Sequence, residues 1–160
     1  MRPLFQTIVV AVSGSDHSLN AARYGIALAK STKARLIAVY VVDTATLKEL
    51  LLSRIFVEDE SADYQKSLEH SGERYLAYVA DLGQKKGVTV ETILKHGAVS
   101  TEIIGVADEN KASVILLGAF EGQTSLRDVL GRQHREILRN ARCSVLVVKE
   151  PDIEGIYKSI

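Results

Sequence analysis

Short apolar runs rich in β-branched residues recur along this chain, and each gives way to a segment of different rhythm. The runs are Thr7-Ile8-Val9-Val10-Ala11-Val12, Arg35 to Val42, Val88 to Leu94, Val114-Ile115-Leu116-Leu117 and Ser144 to Val148. Most are continuous rather than alternating, the pattern of strands covered on both faces. Between them, apolar residues return at helical spacing. Leu19, Ala22, Ile26 and Ala29 define a helix ending near Ser31. Tyr64, Leu68, Tyr75, Val79 and Leu82 define a long one from about Ala62 to Lys86, stopped by Gly87. Shorter helices are predicted over Ser100 to Asn110 and through Ile137 and Leu138 to about Ala141. Five strands alternating with helices predict an α/β fold: one open five-stranded parallel sheet with helices on both faces, joined by right-handed crossovers.

The segment from Asp43 to Glu60 has the weakest pattern. Leu47, Leu50, Leu51 and Ile55 suit a short amphipathic helix or a flexible flap, and Glu58-Asp59-Glu60 reads as solvated surface. The chain divides into a domain over residues 1–150 and a loosely held extension over 151–160, with Ile153, Ile156 and Tyr157 available for docking.

At 160 residues the chain is long enough for one domain with a sizeable core. Lys plus Arg and Asp plus Glu number 20 each, so no net field draws it to nucleic acid or to an anionic membrane. A single cysteine, Cys143, excludes an internal disulfide and reads as a small buried hydrophobe. The start, Met1 to Thr7, lacks a signal peptide's apolar core, and no apolar run approaches the ~20 residues that cross a bilayer. A cytoplasmic protein is expected.

The functional signal lies where strands end. Val114 to Leu117 runs into Gly118, Gly122 and Gly131, and the first strand runs into Ser13-Gly14-Ser15. Glycine turns between a parallel strand and a helix can present backbone N–H groups to a phosphate. In open parallel sheets ligands collect at the carboxyl ends of strands where the order reverses. If the first and fourth runs are neighbours, these turns face each other. Residue pattern alone supplies the turns and leaves the strand order open.

Val9-Val10-Ala11-Val12-Ser13-Gly14-Ser15-Asp16-His17-Ser18 resembles the opening of universal stress proteins. So do Tyr40-Val41-Val42-Asp43, Gly97 before a helix, Ala112 to Gly118, and the close Ala141-Arg142-Cys143-Ser144-Val145-Leu146-Val147-Val148-Lys149. The likeness runs from about Thr7 to Lys149. It implies a Rossmann-like sheet of the adenine nucleotide alpha hydrolase kind, ordered 3-2-1-4-5. It also implies a homodimer paired through the last strand, Val145, Leu146, Val147 and Val148. An apolar, uncharged edge strand is itself a surface that seeks a partner.

Members of that family that bind ATP carry Gly-x2-Gly-x9-Gly followed by Ser or Thr, and an Asp ending the first strand. This chain departs from that pattern. Glu121 stands where the second glycine belongs, Gly122 gives Gly-x3-Gly-x8-Gly, Arg132 replaces the hydroxyl residue, and Ser13 replaces the Asp. A carboxylate at Glu121 repels polyphosphate, while Arg132 can pair with phosphate or close the site by pairing with Glu121. By the resemblance, Val41 holds adenine through its backbone, Ser13 sits near the nucleoside, Gly118, Gly122 and Gly131 admit the phosphates with Arg132 as the nearest cation, and Gly14, Ser15 and Gly97 belong to the same site.

The primary expectation is a stress-response or regulatory protein with an ATP pocket of degenerate motif. The alternative is a nucleotide-free dimeric interaction module. A third reading, an ATP pyrophosphatase-like adenylating enzyme, fails where His17 stands for the required Asp. No His lies at metal-ligand spacing to another His or to Cys143, so no metal site is expected. His96 is the histidine expected nearest the crevice, and His134 is expected on an exposed helix surface. No residue set points to catalysis, beyond weak ATP hydrolysis at most.

Overall fold

The computed structural model describes residues 2–119 and 127–160, the side chains of 127–130 excepted. Five strands, β1 (Thr7–Val12), β2 (Arg35–Asp43), β3 (Val90–Gly97), β4 (Val114–Gly118) and β5 (Ser144–Val148), form one sheet in the order β3-β2-β1-β4-β5. Every neighbouring pair is parallel. Class and order are those the sequence and the resemblance led us to expect. The helices are α1 (Asp16–Thr32), α2 (Thr44–Leu52), α3 (Glu58–Gln84), α4 (Val99–Glu109), α5 (Arg127–Asn140) and α6 (Ile153–Ser159).

The period of a strand divides its side chains between two cores. Ile8, Val10, Leu36, Ala38, Val114 and Leu116 point to one face, where α1 and α3 contribute Ile26 and Val79. Val9, Ile37, Val39, Ile115 and Leu117 point to the other, under Ile103 of α4 and Ile137 of α5. Burial of each such side chain contributes roughly 1.5–3 kcal/mol. Continuous apolar runs are therefore required: a polar residue at either parity would enter a core.

Two departures from the sequence reading have local causes. α3 begins at Glu58 and not near Ala62, so the acidic run, exposed as expected, also forms its first turn, where carboxylates favour the positive end of the helix. β3 continues to Gly97 because β2 pairs with it to the end, Val42 opposite His96 and Asp43 opposite Gly97. Of the two readings of the next segment, the short helix is the one found, over residues 44–52, begun by the Asp43 carboxylate, which accepts from the Thr46 N–H at 3.0 Å.

In the tail, Ile153 is buried and the Tyr157 hydroxyl donates to the Leu82 carbonyl at 2.7 Å. Among the described residues no helix is long and apolar enough to cross a membrane.

Candidate functional site

The chain leaves β1 for β2 on one side and later returns to place β4 on the other. The ends of β1 and β4 are therefore adjacent, with α1 packing on one face of the sheet and α5 on the other. A cavity of about 210 Å³ opens between them. Its walls are largely apolar, including Val41, Val99, Ile103, Leu117 and Ile137. Ser13, Ser15, His17, Ser18, Gln133 and His134 supply polar groups.

The β1–α1 turn is fixed by its serines. The Ser13 N–H donates to Ser18 Oγ at 2.9 Å, and the Ser18 hydroxyl reaches the Ser13 carbonyl at 2.8 Å. Ser15 caps α1 by accepting from the Ser18 N–H at 3.2 Å, and its Oγ lies 3.1 Å from Ser13 Oγ. The turn thus holds its shape with neutral hydroxyls where the ATP-binding pattern has a carboxylate.

On the facing side, His134 Nε2 lies 2.9 Å from the Gly118 carbonyl oxygen. A carbonyl only accepts, so Nε2 carries the proton and donates. This bond ties α5 to the end of β4. A β-carbon on Gly118 would stand 2.6 Å from the backbone carbon and oxygen of His17, so glycine here lets β4 meet the first turn of α1.

The aromatic wall behind the first turn has the same logic. Tyr40 lines the cavity and stacks on Tyr75, ring centroids 6.4 Å apart, and a β-carbon on Gly14 would come within 3.2 Å of the Tyr75 hydroxyl. Burial, then the neighbouring Tyr75 and Tyr64 hydroxyls, raise the Tyr40 phenol above its ordinary pKa.

Of the residues singled out in the sequence, Ser13, Ser15, Val41 and Gly118 line this one cavity. Gly14 stands behind it against Tyr75. Gly97 closes β3 at φ 142°, where a β-carbon would lie 2.7 Å from Glu102 Oε1, and Gly131 is buried in α5. Arg132 lines a neighbouring polar depression with Asp43, Thr46, Glu49, Ser100 and Glu136. That depression touches the cavity through Val99 and Gln133, which line both. Glu121 and Gly122 lie outside the described residues.

The histidines are arranged differently from the sequence reading. His17 and His134 line the cavity, whereas His96 pairs with Glu69 of α3 at 2.9 Å. His134 follows Gly131 by three residues on the last helix, which was its one sequence signal and did not give the side it faces. Among the described residues no group of three or more His, Cys, Asp or Glu is placed to hold a metal. Burial pushes the Cys143 thiol up, disfavouring the reactive thiolate.

A model of the universal stress protein family matches residues 4–149, spanning the strand ends that border the cavity. This chain belongs to that family. A universal stress protein of Methanocaldococcus jannaschii is 34% identical over 152 residues, covering 94% of this chain and 86% of that one. One from Bacillus subtilis is 29% identical over 149 residues, covering 91% and 100%. Among solved structures, a universal stress protein in complex with cAMP is 25% identical with a TM-score of 0.66, covering 91% and 97%. A family member from Burkholderia pseudomallei has a TM-score of 0.72 at 24% identity, covering 94% and 100%, a likeness of fold.

Proposed function

We propose that this universal stress protein acts by binding an adenine nucleotide in the cavity between the ends of β1 and β4, as a regulatory rather than a catalytic event. The observation that carries the reading is the cavity itself, apolar-walled and bordered by the Ser13–Ser18 turn and by Gly118. A planar base suits the wall of Val41, Val99 and Ile103, with Val41 offering backbone contacts. The sugar lies near Ser13 and Ser15, beside Gly14. Phosphate lies toward Gly118 and Gly131, and the route over Gln133 leads to Arg132. The relative solved with cAMP supports an AMP-type ligand; ATP is the form with more phosphate for Arg132 to meet. Val145, Leu146 and Val147 are half-buried on the open edge of the sheet, and pairing of β5 with a second copy completes the assembly.

A second reading has its own support. Gly118, Gly14 and Gly97 are each used in packing, against His17, Tyr75 and Glu102. The glycines alone therefore do not demand phosphate, and a nucleotide-free dimeric interaction module would keep them. One experiment separates the readings. Purified protein is denatured and the filtrate read for adenine absorbance, and the refolded, ligand-free chain is then heated with AMP, cAMP or ATP. The nucleotide reading expects released adenine, or stabilisation approaching about 2.7 kcal/mol at roughly 100 times Kd. A melting temperature indifferent to all three, with no adenine released, leaves the interaction module.

A further inference from the structure

Four of the eight large apolar side chains recorded as exposed among the described residues stand within thirteen positions of one another, at the corner joining α2 to α3. Leu52 is 75% exposed, Ile55 65%, Val57 60% and Tyr64 49%. Scattered exposed leucines need no account, but a cluster of this kind marks an interaction surface. The corner is held in shape. α2 ends with the N–H of Ile55 donating to the Leu50 carbonyl at 3.0 Å and that of Arg54 to the Leu51 carbonyl at 3.1 Å, with Arg54 at φ 58°. Phe56 meets Tyr64 edge to face, centroids 5.8 Å apart.

Charge decides what fits there. From Ile55 to Asp63 the chain carries Glu58, Asp59, Glu60 and Asp63 and no Lys or Arg; Arg54 and Lys66 stand only at the flanks. All four carboxylate residues are exposed, and among the described residues none pairs with a cation. A second copy of the corner would bring like charge against like, and an anionic membrane would be repelled in the same way. We propose that the α2–α3 corner docks a basic amphipathic helix of a protein partner, its apolar stripe on Leu52, Ile55 and Val57 and its lysines or arginines over Glu58, Asp59 and Glu60.

The test is a titration of isotope-labelled full-length protein, followed by NMR, with a synthetic helical peptide of leucines at i, i+3, i+4 and i+7 and lysines elsewhere. A peptide with glutamates in place of lysines is run beside it. Saturable shifts confined to residues 50–66 are expected for the lysine peptide alone. I55S/V57S and E58Q/D59N/E60Q are each expected to weaken binding by at least about tenfold, the second also flattening its salt dependence. These side chains are exposed, and unchanged melting temperatures verify that both variants fold. Shifts spread over the whole surface, equal binding of the glutamate peptide, or affinity unchanged in both variants would overturn the proposal. So would loss of self-association in I55S/V57S, which would make the occupant a second copy, or binding of phosphatidylglycerol vesicles through the same residues.

Discussion

Two apolar surfaces of this molecule have opposite fates. In the cavity, Val41, Ile103, Leu117 and Ile137 meet around a concave space whose walls are strand ends and helices locked by close contacts. At the α2–α3 corner, Ile55 and Val57 stand outward and mostly exposed. The cavity can accept a small planar molecule because its shape is enforced from behind. The corner has no enclosure, and only another macromolecule can cover it. Burial is what couples a surface to stability, so mutations at the two places should differ more in their cost than in their chemistry.

The largest expected effect comes from breaking the cavity wall. Gly118→Val drives a branched side chain into the His17 backbone and should cost about 3 kcal/mol, read by chemical denaturation, with the cavity lost as well. Filling the cavity without breaking it is the next step. Val99→Trp places an indole in the space and should weaken AMP binding by at least about tenfold in calorimetry while most of the stability is kept.

His134→Ala removes the donor to the Gly118 carbonyl, which should cost about 0.5–1.5 kcal/mol and loosen α5 against β4. At the corner the sign reverses. Arg54→Gly relieves a left-handed backbone and should stabilise by up to about 1 kcal/mol, with nucleotide binding untouched.

The smallest effect separates both surfaces from the β3 edge. There the Arg35 guanidinium, hydrogen-bonded to Glu91 at 2.8 Å, holds the Glu91 carboxyl below its usual range. A carboxyl lowered in the folded state adds stability above its unfolded pKa and loses it as the pH falls through the folded value. Both groups are solvated, so Glu91→Gln should remove a step of under about 1 kcal/mol from the acid limb of a stability profile. It should change neither nucleotide nor peptide binding.

Strands were legible because β-branched runs admit few alternatives, and the sheet order followed once the resemblance placed β1 at the centre. The end of β3 was less legible, since Lys95 and His96 look like loop residues until Val41 and Val42 are seen pairing with them. The corner was hidden because Glu58-Asp59-Glu60 serves equally as surface or as a first helical turn. Within the site, Ser13, Ser15 and Gly118 were found from strand-end position, and Val41 from the resemblance. The roles of the glycines were not legible, because a missing side chain looks the same whether a phosphate or a helix occupies the space. His17 and His134 needed the phase of their helices relative to the sheet, which only the packed fold supplies.

Binding of AMP at the ends of β1 and β4 is tested most directly by NMR titration of the nucleotide-free protein. Saturable shifts are expected at the amides of Ser13, Ser15, Val41, Gly118 and His134, with the α2–α3 corner silent. Silence at those amides under excess AMP and ATP, or shifts gathered at the corner instead, would contradict the nucleotide account and leave a dimeric interaction module.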